Sequence, residues 1–304
     1  FVSCRACGHV LKCPHCDVSL SQHGSGAATR LVCHYCGYTT IQPGLCPVCG
    51  SKYISGFKAG TQKIEQVVKA RFPQARVLRM DMDTTRTKDG YEQILSAFSN
   101  HEADILIGTQ MIVKGHDFPG VTLVGVLAAD LSLYISDYRA SERTFQLLTQ
   151  AAGRAGRGDI PGNVIIQTYD PDHYSITTAK EQNYEAFYGQ EIEYRKMMRY
   201  PPVWNMLYIL CASKNEAAAS EAAVALMGKI DQIVRENSEK IFSIGPSDAP
   251  VAKISDVYRK VIYVKTREYQ TLVILKDGLE AFIKDNCLYQ NVAVGFDFNP
   301  VNGF

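Results

Sequence analysis

Two stretches of sequence, SCRACGHVLKCPHC at residues 3–16 and CHYCGYTTIQPGLCPVC at residues 33–49, decide how the beginning of this chain folds. They hold eight of its ten cysteines, in four pairs separated by two residues: Cys4/Cys7, Cys13/Cys16, Cys33/Cys36 and Cys46/Cys49. A two-residue gap lets one turn aim both thiolates at the same ion, and two such turns complete a tetrahedral zinc site. The spacing therefore predicts a module that binds two structural zinc ions.

The distances along the chain favour a nested pairing of these four knuckles. The second and third knuckles are separated by the sixteen residues between Cys16 and Cys33, within the usual range for one zinc site. The first and fourth knuckles then bind the other ion. Sequential pairing is disfavoured, because only five residues separate Cys7 from Cys13. A crossed arrangement, first knuckle with third and second with fourth, stays open.

The composition is that of an ordinary globular protein, with 46% hydrophobic and 21% charged residues and a net charge of +1. These values exclude a disordered chain and give no overall sign of a polyanion partner. No stretch approaches the ~20 apolar residues of a membrane helix, and the first residues given show no basic-then-apolar signal pattern. We therefore expect no disulfide framework, since such frameworks belong to secreted chains. Residues 1–3 resemble a strand already under way, and we expect the chain to be the later part of a longer one.

From residue 58 the pattern changes to alternating helices and strands. Ile64, Val67, Val68 and Phe72 form the apolar stripe of a predicted helix. Two almost wholly apolar segments, at about 105–107 and 121–129, predict parallel strands covered on both faces. A helix at about 141–155 and a strand at 163–169 complete a Rossmann-like α/β layer. Its functional loops are expected at the carboxyl ends of the strands.

The first functional loop is GTQMIVKGHDFP at residues 108–119, which follows a buried strand. Gly115 allows a ligand to approach the backbone closely, and Asp117 offers a carboxylate.

The second loop is QAAGRAGR, which begins at Gln150 and is predicted at the end of a helix. Arg154 and Arg157 are three residues apart, so on one helical turn they project to the same side. Paired guanidinium groups suit the charge that develops on a transferring γ-phosphoryl group. The alternative interpretation is a helix C-terminus at which basic residues and glycines end the helix.

The last third of the sequence predicts the order β-α-β-β-α-β, with the second strand at 241–244, which is typical of a ferredoxin-like α+β unit. A long amphipathic helix at about 174–199 precedes it and ends at Tyr200-Pro201-Pro202, a natural boundary. Lys253, Arg259 and Lys260 are more readily explained as a solvated strand edge than as phosphate contacts. The predicted domains are residues 1–57, 58–200 and 201–304.

Together these residues resemble the C-terminal portion of the bacterial replication-restart helicases of superfamily 2. Beside the cysteine segment, the resemblance rests on GTQKIE at 60–65, LRMDMDTT at 78–85, GTQMIVKGHDF at 108–118, DYRASER at 137–143, GRAGR at 153–157 and RYPP at 199–202. It implies a RecA-like second helicase lobe that carries a two-zinc module with the nested pairing. A small α+β DNA-binding domain follows.

The resemblance also implies an ATP-dependent 3′–5′ DNA helicase of the bacterial cytoplasm that recognises abandoned replication forks and starts primosome assembly. Implied partners are forked DNA and single-stranded/duplex junctions, primosome and helicase-loading proteins and single-stranded DNA-binding protein, but no membrane. ATP and Mg²⁺ are the implied cofactors of the full-length enzyme. The implied site residues are Gln150, Arg154 and Arg157 for catalysis, Gly115, Asp117 and Gly153 for the nucleotide, and Thr109, Gln110 and Lys114 for DNA.

One departure from the helicase pattern concerns the phosphates. The sequence has no G-x-x-x-x-G-K-[ST] motif and no Asp-Glu-x-His motif, and its single Gly-Lys is followed by Ile230 in a predicted helix. We therefore expect the chain alone not to hydrolyse ATP. Two alternatives stay open: a non-enzymatic zinc-ribbon adaptor for nucleic acid or protein that has a helicase-like lobe, and a different superfamily 2 enzyme such as a fork-reversal helicase.

Overall fold

In the computed structural model, the cysteine-rich segment folds around short antiparallel strands. These strands are β1 (Val2–Cys4), β2 (Ser21–His23), β3 (Arg30–Val32), β4 (Thr39–Ile41) and β5 (Ile54–Gly56). β1 pairs with β5, and β2, β3 and β4 form a three-stranded meander. Four aliphatic side chains, Val2, Leu20, Leu31 and Ile54, pack among the buried cysteines. So small a core needs cross-linking by metal to be stable.

The structure describes residues 2–23, 29–56, 60–82, 84–85, 89–113, 118, 120–135, 137–156, 161–236, 240–286 and 291–301. By their contacts they divide into two compact units, residues 1–57 with 192–304 and residues 58–191. The first unit thus unites the two ends of the chain, and the second is inserted between them. The division into three domains stays a prediction.

The inserted unit alternates helices and strands as the sequence predicts. In chain order it contains α1 (Thr61–Arg71), β6 (Val77–Met80), α2 (Gly90–Ser99), β7 (Ile105–Gly108), β8 (Leu123–Val126), α3 (Ala140–Ala152), β9 (Asn163–Ile166), α4 (Tyr174–Lys180) and α5 (Tyr184–Met198), the last of which continues into the first unit. Two 3-10 helices, Gln110–Val113 and Ala129–Ser132, follow β7 and β8. β6 pairs with β7 and β8 with β9, both in parallel.

Three expectations for this unit are wrong. The strand expected over 121–129 ends at Val126, because Ala128 has a φ of 52° and starts a 3-10 helix. The pair β8–β9 is covered on one face only, since alternate side chains such as Leu123 and Ile165 are 58% and 62% exposed. The helix expected over 174–199 is two helices, separated near Gln182 with its φ of 52°.

The apolar stripe expected on α1 is only partly buried. Ile64 and Val68 are half-buried, whereas Val67 and Phe72 are 54% and 55% exposed. The α1 helix contacts β6 and β7, and this contact needs only the narrower stripe. A hydrophobic stripe read from the sequence therefore overestimates how much of this helix is buried.

The last third has the element order that the sequence predicts. It runs β10 (Asn205–Ser213), α6 (Glu216–Glu236), β11 (Phe242–Ile254), β12 (Val257–Thr266), α7 (Tyr269–Asp285) and β13 (Ala293–Phe298). The sheet order is β11-β12-β10-β13, and every neighbouring pair is antiparallel. The strand expected over 241–244 is much longer, because β11 continues to Ile254 and forms a hairpin with β12.

Alternation along the strands builds the core of this domain. Leu207, Ile209 and Cys211 on β10 point to one face and pack with apolar residues of α6 and α7. Tyr208 points to the other face, where it packs with Val261. Burial raises the pKa of the Cys211 thiol to about 12, typical of an unreactive core cysteine. Cys287, the other cysteine outside the knuckles, lies outside the described residues.

No helix in the described part of the chain has both the length and the apolar character that crossing a membrane requires.

Candidate functional site

The eight knuckle cysteines gather into two groups of four. The first cluster consists of Cys4, Cys7, Cys46 and Cys49, and the second cluster consists of Cys13, Cys16, Cys33 and Cys36. Within each cluster the sulfur atoms lie within 4.8 Å of one another. Sulfur–sulfur distances of 3.6 Å for Cys4–Cys49 and 3.6 Å for Cys13–Cys36 suit the edges of a tetrahedron around one ion. This grouping is the nested one, and the crossed arrangement does not occur.

Three of the four knuckles close their own turn with a glycine. In these three, the glycine one residue past the second cysteine has a left-handed φ and donates its N–H to the carbonyl of the first cysteine: Gly8 to Cys4, Gly37 to Cys33 and Gly50 to Cys46. The Cys13–Cys16 knuckle has Asp17 at this position, and the N–H of Asp17 donates to the carbonyl of Lys253 at 2.8 Å. The Cys13–Cys16 knuckle, the second along the chain, is thus completed by the β11–β12 hairpin.

The thiols within a cluster do not ionise alike. A hydrogen bond from the backbone N–H of Cys7 is the largest cause that lowers the pKa of Cys4, to about 6. Burial raises the pKa of Cys16 to about 12, against the opposing effect of the N–H of Ser255. A zinc ion binds thiolates, so binding at either cluster displaces protons from the less acidic sulfurs. Four soft sulfur donors in each cluster fit zinc, and together they support two structural zinc ions.

The first helicase-like loop leaves β7 through a crowded turn. A Cβ atom on Gly108 would lie 2.6 Å from the carbonyl oxygen of Met80 on the neighbouring strand, so only glycine fits there. The chain then forms the 3-10 helix Gln110–Val113, and Thr109 and Gln110 are exposed to solvent. The predicted residues Lys114, Gly115 and Asp117 lie outside the described residues.

The second helicase-like loop begins where α3 ends. Gly153 caps the helix, its N–H donating to the carbonyl of Thr149. Arg154 therefore lies past the helix, in a turn closed by its own N–H and the carbonyl of Ala151, and its predicted position on the helix is wrong. Gln150 is on the last turn of the helix and is exposed, whereas Arg157 lies outside the described residues.

The described parts of the two loops are each held by other elements of the inserted unit. The 3-10 helix of the first loop contacts α3, which leads into the second. The second loop is also tied to the sheet, because the N–H of Gly156 donates to the carbonyl of Val121, just before β8. The described residues of both loops are thus held by their contacts, and exposed polar side chains such as those of Gln110 and Gln150 suit a polar ligand.

Asp130 is the buried carboxylate that the sequence analysis missed. It is 3% exposed and lies in the 3-10 helix after β8. Its oxygens accept hydrogen bonds from the hydroxyl of Thr168 at 2.5 Å and from the N–H groups of Tyr169 at 3.0 Å and Asp170 at 3.3 Å. These bonds, first of all that from Thr168, lower the pKa of Asp130. Its position directly after an apolar strand was the available signal.

Two other aspartates explain motifs that had no assigned role. Asp81, in LRMDMDTT, accepts a hydrogen bond from the hydroxyl of Thr61 at 2.5 Å, which joins the end of β6 to the start of α1. Asp137, in DYRASER, accepts from the N–H of Arg139 at 2.8 Å and pairs with Arg143 at 2.7 Å, at the start of α3. Both carboxylates therefore position helices of the unit.

The basic residues of the β11–β12 hairpin bond within the protein. Lys253 donates to the carbonyl of Pro14, Arg259 to that of Val251, and Lys260 to the carboxylate of Asp248. Lys253 and Lys260 are only 22% and 16% exposed at their side chains, so the interpretation as a solvated strand edge is wrong for them.

Comparison with known protein families matches three parts of the chain. Residues 13–40 match the PriA DNA helicase Cys-rich region domain, residues 52–159 the helicase conserved C-terminal domain, and residues 196–301 the primosomal protein N C-terminal domain. The first match covers the whole second cluster, and the second covers both helicase-like loops.

Curated relatives align along nearly the whole chain. The replication restart protein PriA of Bacillus subtilis (strain 168) is 46% identical over 302 residues, which are 99% of this chain and 37% of that protein. The PriA protein of Synechocystis is 44% identical over 277 residues, 90% of this chain and 33% of that protein. The PriA protein of Borreliella burgdorferi is 35% identical over 301 residues, 99% of this chain and 44% of that protein. The chain spans less than half the length of these relatives.

Proposed function

The chain belongs to the PriA family of replication restart helicases, whose C-terminal portion it matches, and from this membership we propose that it forms the part of an ATP-dependent 3′–5′ DNA helicase that closes over the nucleotide. The full-length protein binds stalled or abandoned replication forks and initiates primosome assembly. The partners proposed for it are forked DNA, primosome and helicase-loading proteins and single-stranded DNA-binding protein. The proposed compartment is the bacterial cytoplasm.

The observation that carries the proposal is the contact between the first helicase-like loop and α3, the helix that leads into the second loop. The 3-10 helix Gln110–Val113 packs on α3, whose end presents Gln150 and leads into Gly153 and Arg154. In the proposed roles Gln150, Arg154 and Arg157 face ATP held by the lobe that this chain lacks. Residues Gly115, Asp117 and Gly153 line the nucleotide, and Thr109, Gln110 and Lys114 contact DNA.

Each cysteine cluster is proposed to bind one structural zinc ion. In this role the first cluster joins the two ends of the cysteine-rich segment, and the second joins its two inner knuckles. For the last third, the strand order β11-β12-β10-β13 supports a ferredoxin-like α+β domain that contributes to DNA binding.

The test is an ATPase and fork-unwinding assay on the full-length protein carrying Arg157→Ala or Arg154→Ala. Removal of an arginine that stabilises the transferring phosphoryl group is expected to lower turnover by about 10³-fold or more. Zinc content and DNA binding are expected to stay unchanged. Arg235→Ala is the matched control, because Arg235 is an exposed arginine on the last turn of α6, far along the chain from either loop.

Turnover that stays within twofold of the control in both arginine variants would remove these side chains from catalysis. A full-length protein that binds forks with no ATPase activity at all would instead support the zinc-ribbon adaptor.

A further inference from the structure

The tip of the β11–β12 hairpin lies on the Cys13–Cys16 knuckle, 239 residues away along the chain from the cysteine it contacts. Both belong to the same compact unit. The backbone N–H of Ser255 donates to the sulfur of Cys16 at 3.2 Å, and that sulfur is almost wholly buried. A metal-binding sulfur of the zinc module thus has a hydrogen-bond donor from the last third of the protein.

Further hydrogen bonds fix the hairpin to the knuckle on both sides of this contact. The N–H of Asp256 donates to the carbonyl of His15 at 2.8 Å, and the N–H of Asp17 donates to the carbonyl of Lys253 at 2.8 Å. Lys253 Nζ donates to the carbonyl of Pro14 at 2.9 Å. Main-chain bonds in both directions give this contact the regularity of sheet pairing.

Side chains of the hairpin tip add to the backbone contacts. Oδ2 of Asp256 lies 2.7 Å from Nδ1 of His15, one of the two residues between the cysteines of the knuckle. Ile254 packs against the apolar cluster that surrounds the cysteines. The knuckle therefore meets polar and apolar groups of the hairpin in the same place.

The turn itself is shaped for this contact at some cost in stability. Ser255 and Asp256 have φ values of 51° and 61°, a combination that two-residue hairpins usually reach with Asn-Gly. Neither residue is glycine, so each adopts a left-handed conformation that is unfavourable for a side-chain-bearing residue. The conformation directs both N–H groups at the knuckle.

The two clusters differ in which part of the chain supplies the backbone N–H that donates to the second cysteine of one knuckle. In the first cluster, the sulfur of Cys49 receives a hydrogen bond from the N–H of Ser51, two residues further along the same segment. In the second, the corresponding sulfur, Cys16, receives it from Ser255. Among the hydrogen bonds of the described residues, none joins the first cluster to residues 192–304.

We propose that the hairpin tip Lys253–Asp256 is a structural part of the second metal site, so that metal binding at Cys13, Cys16, Cys33 and Cys36 and docking of the C-terminal hairpin stabilise each other. Amide donors to a metal-bound thiolate disperse its charge and hold its orientation, and loss of such a partner weakens metal binding by 10–100-fold. The same coupling requires that metal at this site orders the hairpin. The inference rests on the proposed zinc binding.

The test uses the 304-residue chain loaded with ¹¹³Cd, which replaces zinc at thiolate sites and gives one resonance for each cluster. In the double variant Lys253→Ala/Asp256→Ala, the second site is expected to lose its metal to a chelator about tenfold faster, the lower end of the effect of such partners. The first site is expected to be unchanged. Asp248→Ala/Lys260→Ala is the matched control, because it removes an aspartate–lysine pair from the same hairpin away from the knuckle.

Equal rates at the second site in the hairpin variant and the control would overturn the inference. Faster loss at both sites would overturn it too, because it would show general destabilisation. A chain that binds no metal would instead defeat the proposed zinc role, so the two failures are distinguishable. A second measurement is backbone hydrogen exchange: chelation of the metal is expected to expose the N–H groups of Ser255 and Asp256 while Ile262, in the core of β12, stays protected. Unchanged protection of the tip would contradict the coupling.

Discussion

Lys265 is a buried lysine held by aromatic and carbonyl groups. It is 5% exposed, and its Nζ lies 3.8 Å from the centre of the Tyr200 ring and 3.1 Å from the carbonyl oxygen of Met198. Burial, helped by the charge of Arg199, lowers its pKa to about 8. The RYPP motif thus supplies part of the surroundings of a lysine whose charge is costly in the folded state.

The pH dependence of stability follows from the sign of this shift. A lysine in the unfolded chain has its pKa near 10.5, so between about pH 8 and 10 the unfolded state binds more protons and stability rises with pH. In the variant Lys265→Met, the free energy of unfolding is expected to rise less steeply with pH over this range, by up to about 1.4 kcal/mol per pH unit. At pH 7 it is expected to be more stable by about 1 kcal/mol or more.

Urea unfolding followed by the fluorescence of Trp204, the single and buried tryptophan, measures this change in the right part of the molecule. Lys284→Met, at an exposed lysine near the end of α7, is the control. Parallel pH profiles for Lys265→Met and the unaltered chain would show that the lysine keeps its ordinary pKa.

For single residues, the sequence predicted the role of those whose spacing along the chain is sufficient to define a metal site. The C-x-x-C spacing identified the eight clustered cysteines because each turn is local. The position of Arg154 could not be obtained in this way, because it depends on where α3 ends. Gly153 caps the helix, so Arg154, the next residue, lies outside it. Asp130 was missed because its three donors come from the end of β9, about forty residues later in the chain.

Among the elements, the segment that follows β9 is held in place by the 3-10 helix that follows β8. Asp130 accepts hydrogen bonds there from Thr168, Tyr169 and Asp170. In Asp130→Asn one acceptor oxygen becomes a donor facing these N–H groups, so one or more of them loses its partner. The expected cost is about 1–3 kcal/mol for the inserted unit.

Hydrogen exchange at the N–H groups of Tyr169 and Asp170 measures this loss, and their protection is expected to fall at least about tenfold, the equivalent of 1.4 kcal/mol. Asp172→Asn is the control, because Asp172 is exposed and close by in sequence. The pKa of Asp130 is lowered, so its contribution is present above the ordinary aspartate pKa and disappears on acidification below it. Equal protection in the two variants would contradict the role.

Elements were predicted well where periodicity is strong and poorly where a single residue interrupts it. The order β-α-β-β-α-β was available from local patterns, as were α1 and α3. The division between α4 and α5 was not, because it depends on the left-handed conformation of Gln182, a residue with no glycine-like signature. The extension of β11 was not predicted, because β11 is the edge strand of the sheet and pairs only with β12.

For the whole molecule, the purified 304-residue chain is expected to contain two zinc ions and to show no DNA-stimulated ATPase activity. Two clusters of four sulfurs set the first number. The second expectation follows because no phosphate-binding loop occurs in the sequence. Elemental analysis and a coupled ATPase assay test both, with the full-length protein as the active control. One zinc ion per chain would contradict the first expectation, and DNA-stimulated ATP turnover would contradict the second.

The union of the two chain ends in one unit had no sequence signal. The contacts between the Cys13–Cys16 knuckle and the hairpin join residues 236 to 241 positions apart, mostly through backbone atoms. Backbone contacts leave no side-chain pattern, and a single sequence offers no covariation. Local motifs therefore predicted the parts of the molecule but not which parts belong together.

That union also sets an order of events during synthesis. The cysteine knuckles leave the ribosome more than two hundred residues before the hairpin, so the early module exists for some time with the turn of its Cys13–Cys16 knuckle incomplete. At ~5–20 residues per second this interval is on the order of ten seconds or more, long enough for metal to be captured first. Contacts of such long range also form late because their loop must close first. The hairpin would then dock on a module that has already captured its metal.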